Sequence, residues 1–169
     1  MKRNTIVYTS ILALISLLSG CDTVVPVKEY KFKDFFTKNY ADSLKSVAKG
    51  TLLCYNMCHL VKSDWDSILV IKPYINKNSI ELLEIKNYSA ISKEVSNQSL
   101  NESTCTLVFV NKGRYVGYAV LPRYPVDFTT IDKGKATQIL WLTKKDCDKI
   151  YLKKLVNSKK ILYKVEFNF

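Results

Sequence analysis

Residues Cys105 to Leu121 read CTLVFVNKGRYVGYAVL. Two apolar-rich runs, Cys105 to Val110 and Arg114 to Leu121, flank Asn111-Lys112-Gly113, where a glycine supplies the positive φ that a tight turn needs. The stretch therefore predicts a β-hairpin. Gly117, between Val116 and Tyr118, marks a bulge or a close approach by another part of the chain. Further strands are predicted on either side. Ser67 to Lys72 reads SILVIK, short and β-branched, and Pro73 ends it. Ala136 to Leu142 reads as another strand. In the last segment Ile161, Tyr163, Val165, Phe167 and Phe169 alternate with Leu162, Lys164, Glu166 and Asn168, the period-2 pattern of a half-buried strand.

Helical signals are separated from these strands. Phe36, Tyr40, Leu44 and Val47 form a stripe within Lys33 to Lys49, and Gly50 stands where a C-cap belongs. Asn78 or Ser79 can cap a helix running to about Lys86, with Ile80, Leu83 and Leu82 inward. Thr143 and Asp146 have the spacing of a capping box with Asp for Glu, which predicts a helix from Lys144 to Leu155. The polar stretch Asn87 to Asn101 reads as a loop with a short strand or turn, and Leu52 to Val61 fits helix or strand. The predicted fold is α+β, an antiparallel sheet of about four to six strands with two or three helices on one side.

The chain has 169 residues, 47% apolar and 24% charged, as in an ordinary globular protein. Its start predicts export. Lys2 and Arg3 precede an apolar run from Ile6 to Leu18, which as a helix would rise only about 20 Å against the ~30 Å a spanning helix must cross. Leu18-Ser19-Gly20-Cys21 then resembles the lipobox of bacterial lipoproteins, which implies diacylglyceryl transfer to Cys21 and cleavage before it. Acyl chains at about 0.8 kcal/mol per buried methylene would give durable membrane anchoring. Asp22 resembles the signal that retains lipoproteins in the inner membrane, so the expected location is the envelope, facing the periplasm, with the inner membrane favoured. The expected division is a signal peptide over 1–20, an acylated tether over 21–30 and one globular domain over 31–169.

Four further cysteines, Cys54, Cys58, Cys105 and Cys147, read as disulfide candidates in an oxidising compartment. On a strand Cys54 and Cys58 would stand ~13 Å apart, beyond a disulfide's reach, and helical geometry is awkward, so each is expected to pair with Cys105 or Cys147. The string CYNMCH, Cys54 to His59, resembles the c-type haem attachment motif with one extra residue. His59 is the sole histidine, and disulfides are preferred over haem or zinc at these sulfurs, so no cofactor or metal is assigned.

The net charge of +11 becomes +9 when Lys2 and Arg3 leave with the signal, and eight lysines lie between Lys144 and Lys164. They suit a solvated surface, an acidic partner or anionic headgroups. Export and the lack of a nucleic-acid-binding signature argue against nucleic acid. No G-x-S-x-G elbow occurs, and the even cysteine count offers no evident nucleophile for His59. The chain ends in Phe169, as in the last strand of outer-membrane barrels, yet one such strand makes no barrel. Two polar groups remain: Asp64-Trp65-Asp66, and Arg123 with Asp127 around Pro125. Paired carboxylates beside an aromatic suit glycoside hydrolysis. An internal Arg–Asp bridge or partner recognition is the preferred reading.

SDWDSILVIKPY, TLVFV, YAVLPR and VDF, within Ser63 to Phe128, resemble small envelope lipoproteins, some of which act as immunity proteins against secreted toxins. The resemblance implies a tethered, non-enzymatic module that binds a protein partner, a toxin in the sharpest version. Expected contacts are Asp64, Trp65, Asp66, Tyr74, Arg123, Tyr124 and Asp127. An envelope assembly lipoprotein is the alternative, and a hydrolase using Asp64, Asp66 or Asp127 a third class.

Overall fold

The computed structural model describes residues 26–31, 46, 48–54, 56, 58, 61, 63–132, 139–157 and 160–167. The leader with Cys21, most of the helix expected over Lys33 to Lys49, and His59 lie outside the described residues. Among the described residues are nine strands: β1 (Lys28–Glu29), β2 (Leu52–Cys54), β3 (Ser67–Ile71), β4 (Thr104–Asn111), β5 (Arg114–Pro122), β6 (Val126–Asp127), β7 (Ile139–Thr143), β8 (Ile150–Asn157) and β9 (Lys160–Phe167). Two α-helices, α1 (Lys77–Glu81) and α2 (Ser92–Leu100), lie between β3 and β4. The fold is α+β.

The strands form two sheets, ordered β1-β5-β4-β3-β7 and β2-β8-β9-β6. Each is mixed rather than purely antiparallel, because the two-residue edges β1 and β6 join β5 and β9 in parallel. Each edge strand is far in sequence from its parallel partner, so the turn signals of neighbouring strands do not reveal the pairing.

Central strands explain the two-layered core. On β3, Ile68 and Val70 pack toward the four-stranded sheet, whereas Leu69 and Ile71 pack toward the helices with Ile80, Ile91 and Val95. On β4, Leu107 and Phe109 take the first side, and Val108 and Val110 the second. A strand covered on both faces has no polar positions to alternate with, hence the unbroken SILVI and TLVFV.

The β4–β5 hairpin is present, with Asn111 opposite Arg114 and both turn residues at positive φ, 48° at Lys112 and 67° at Gly113. Two such residues make the turn that matches strand twist. Asp66 Oδ2 accepts the Lys112 amide at 2.7 Å and braces it. The register slips between Phe109 and Val110, so Val116 is an extra residue on β5. The slip turns Tyr115 to the helix side, while Gly117, Ala119 and Leu121 face the other sheet.

Gly117 is also a point of close approach. A Cβ there would collide with the Tyr30 ring and lie 3.1 Å from the Lys28 carbonyl oxygen. Tyr30 packs edge-on to Phe109 at 5.2 Å, and its hydroxyl donates to Ser63 Oγ at 2.9 Å. Residues Lys28 to Tyr30, assigned from sequence to the tether, are therefore bound to the sheet. Gly117→Ala should cost about 2 kcal/mol by overpacking this contact. An unchanged thermal midpoint would show that the ring can swing clear.

Three sequence expectations are corrected. The polar stretch before β4 holds α2, whose inward positions are Val95 and Gln98, after Ile91 in the preceding turn. Gln98 replaces an apolar residue by bonding the Asn101 and Thr104 carbonyls, each at 2.9 Å, and the Thr106 hydroxyl. The segment Lys144 to Leu155 is not a helix. Thr143 and Asp146 do bond, at 2.8 Å, but they close only the 3-10 turn Lys144–Asp146. Beyond it Ile150 and Leu152 are buried at period 2 and β8 pairs along β9. Finally, α1 begins after Asn76, which accepts the Asn78 amide, and ends early, leaving Leu82 exposed.

The cysteines form one bridge, Cys58–Cys147, with Cα atoms 5.4 Å apart. It joins the connection from β2 to β3 to that from β7 to β8, both of which cross between the sheets. Cys54 and Cys105 are free thiols, contrary to the expected second bridge. Cys105 is buried inside the core on β4, and burial pushes its thiol pKa up. Iodoacetamide should label Cys54 in the native protein and Cys105 only after unfolding, as peptide mapping by mass spectrometry would show. Labelling both natively would contradict this packing.

Candidate functional site

Three connections meet at one end of the five-stranded sheet. Pro73 and Tyr74 follow β3, the turn at Glu102 and Ser103 precedes β4, and Arg123 to Pro125 follow β5. Antiparallel pairing requires this meeting, since Ile71 lies opposite Thr106 and Thr104 opposite Pro122. The Asn101 side chain shapes the middle turn by accepting from the Ser103 amide at 2.9 Å and its hydroxyl at 2.7 Å.

Arg123 ties the connection after β5 to the turn before β4. Its amide donates to the Ser103 carbonyl at 3.0 Å and its Nη1 to the Glu102 carbonyl at 3.1 Å. Its Nε and Nη2 grip the Asp127 carboxylate at 3.0–3.2 Å. Donation to Asp127 holds the guanidinium pKa above its ordinary value. Asp127, in β6, is buried and also accepts from the Thr129 amide at 2.9 Å and hydroxyl at 2.6 Å. Both its oxygens are thus engaged, which makes it a scaffold acceptor.

Outside this lock the surface is aromatic and apolar. Tyr74 is 58% exposed and Tyr124 53% exposed. The Tyr74 hydroxyl donates to Glu102 Oε2 at 2.6 Å, and that bond raises its pKa. Its backbone is held at φ 59°, which for a bulky residue costs on the order of 1–3 kcal/mol. Glu102, Ser103, Pro122, Arg123, Tyr124 and Asp127 line an open groove of about 510 Å³. A second groove beside it contains Leu100, exposed by 86%, and Val120, exposed by 41%, next to Asn101. Four exposed large apolar or aromatic side chains therefore surround the turn at 101–103.

Of the residues expected at a site, Tyr74, Arg123, Tyr124 and Asp127 are brought together. Asp64, Trp65 and Asp66 are at the hairpin end of the sheet, separated from them by the length of β4, ~24 Å at 3.4 Å per residue. Trp65 is no surface contact. It is 3% exposed, packs edge-on to Phe109 at 6.2 Å and carries the Lys144 ammonium over its ring at 5.7 Å. Asp66 accepts from Ser67 and braces the hairpin, while Asp64 is exposed. Sequence reasoning did not single out Glu102, Leu100 or Val120; only the polar NEST turn after Leu100 hinted at a surface loop. Trp141, 38% exposed on the edge strand β7, was also missed.

Among the described residues no three His, Cys, Asp or Glu side chains are arranged to hold a metal, and no helix is long and apolar enough to cross a membrane. Of the C-terminal lysines among the described residues, Lys144 and Lys145 lie in the 3-10 turn, Lys153 and Lys154 on β8 and Lys160 and Lys164 on β9; Lys153 pairs with Glu166 at 3.3 Å, and Lys154 is buried. No protein-family model, curated protein or solved structure matches this chain.

Proposed function

We propose that this protein is a membrane-anchored, periplasm-facing lipoprotein that acts as a non-enzymatic protein-binding module. Lipid on Cys21 would provide the anchor, and the partner in the sharpest version is a secreted toxin that the domain neutralises. The supporting observation is the surface around Glu102: Tyr74 and Tyr124 stand in solvent, Leu100 and Val120 lie beside them, and the Arg123–Asp127 pair holds the underlying loops. Tyrosines on a rigid base offer large contact area with little rotamer entropy to lose on binding.

The test is to tag the full-length protein in its own host, solubilise membranes gently and identify what co-purifies. A single toxin-like partner, lost on Tyr124→Ala, is the expected result. Recovery of resident envelope machinery instead would move the assignment to an assembly lipoprotein. Unchanged sensitivity of a deletion strain to neighbouring and self-encoded toxins would defeat the immunity reading.

A further inference from the structure

A cleft of about 380 Å³ lies between α2 and β5, in the size range of small-ligand sites. Its side wall is one face of α2 and its C-cap, where Glu94, Asn97 and Asn101 follow one another at spacings of three and four residues. Its floor is Thr104 and Thr106 of β4, and Val120, opposite Thr106 in the β4–β5 ladder, forms the far rim. Gln98 fixes the floor. Its Nε2 donates to the Asn101 and Thr104 carbonyls and its Oε1 accepts from Thr104 at 3.2 Å and Thr106 at 2.9 Å, so this carboxamide keeps no bonding capacity for a ligand. The wall is the reverse. The Glu94 carboxylate and the Asn97 carboxamide have no hydrogen-bond or ion-pair partner among the described residues, and Asn101 uses only its Oδ1, which leaves its Nδ2 as a donor. Lys93 precedes Glu94 on the helix and, one residue apart, does not share its face.

We propose that this cleft binds a neutral saccharide ring through a vicinal pair of hydroxyls. A sugar hydroxyl both donates and accepts, so one of the pair donates to the Glu94 carboxylate while an Asn97 or Asn101 amide donates to the other. The Thr104 and Thr106 hydroxyls, whose protons are committed to Gln98, keep oxygen lone pairs as further acceptors. Val120 and Leu100, both exposed, offer an apolar edge to the C–H face of the ring. Other ligand classes leave groups unmatched. An anion meets Glu94, a simple cation leaves the two carboxamide donors unused, and an apolar ligand buries all three polar groups unpaired. Because the Gln98 network is already formed, the floor needs no ordering on binding. The site borders the partner surface around Glu102 and shares Leu100 and Val120 with it, but it does not require a protein partner.

The experiment records spectra of the full-length chain, labelled with nitrogen-15, in dodecylphosphocholine, a detergent without a sugar headgroup. The probes are the methyl glycosides of glucose, galactose, mannose and N-acetylglucosamine. Tetrahydropyran-2-methanol, the same ring without its vicinal hydroxyls, is the control. At least one glycoside should shift the Asn97 and Asn101 side-chain amides and the Val120 backbone amide saturably, with a dissociation constant on the order of 1 mM, and leave Trp141 on the edge strand β7 unmoved. Asn97→Ala, at an exposed helical position, should keep the native spectrum and weaken that glycoside about fivefold. No response to any glycoside, an equal response to the control, or binding undiminished in Asn97→Ala each overturns the proposal. Partner capture and its loss on Tyr124→Ala bear on the protein-binding reading alone, so the two fail separately.

Discussion

Replacing Cys58 and Cys147 together by alanine should lower the free energy of unfolding by about 4 kcal/mol. The bridge spans 89 residues of sequence, and closing a loop of that length in the unfolded chain removes entropy worth about 4.5 kcal/mol at 25 °C. The effect is expected to be nearly full because the bridge joins two connections that both cross between the sheets. Its loss removes a covalent tie between the two sheets and lengthens the unfolded chain's reach. Urea denaturation of the double variant, compared with wild type, measures the change; an unmoved midpoint would mean that the bridge adds nothing to packing already secured by Leu152, Val165 and Phe109.

Asp127→Ala is expected to cost about 3 kcal/mol, from lost charge-assisted hydrogen bonds and a lost cap. Asp127 is 4% exposed and serves both the Arg123 guanidinium and the first amide bond of the 3-10 turn Phe128–Thr130. The orphaned Arg123, whose side chain is 42% exposed, can turn to water, which keeps the loss below that of stranding a buried charge. A double-mutant cycle with Arg123→Ala should give a coupling of about 1–2 kcal/mol, and additive losses would refute the proposed lock. Under the binding-module proposal, Asp127→Ala also weakens partner capture, since the guanidinium that bonds the Glu102 carbonyl loses its anchor and the Tyr124 connection is held less firmly.

Two of the misread segments were decided by contacts that no local pattern carries. Residues 92–100 contain few apolar positions, because Gln98 does with hydrogen bonds what the stripe of a helix usually does with methyl groups. A polarity scale counts that position as solvent-facing. At Thr143 the capping pair is real, yet local capping is worth about 1 kcal/mol, less than burial of Ile150 and Leu152 against the other sheet. Tertiary burial therefore stops the helix after one turn.

Sequence alone determined the elements whose signals are local and strong. The hairpin at Lys112-Gly113, the buried SILVI strand and the period-2 final strand follow from backbone sterics and side-chain alternation within a few residues. The pairing of Arg123 with Asp127 was likewise within reach at four residues' separation. Tertiary structure alone decided the two-sheet arrangement, the pairing of Cys58 with Cys147, the burial of Trp65 and the placing of Glu102 beside Tyr74. Each depends on which distant segments face one another across a core, and that is set by the packing of β3, β4 and β5 between two layers. No local pattern along the chain records such a choice.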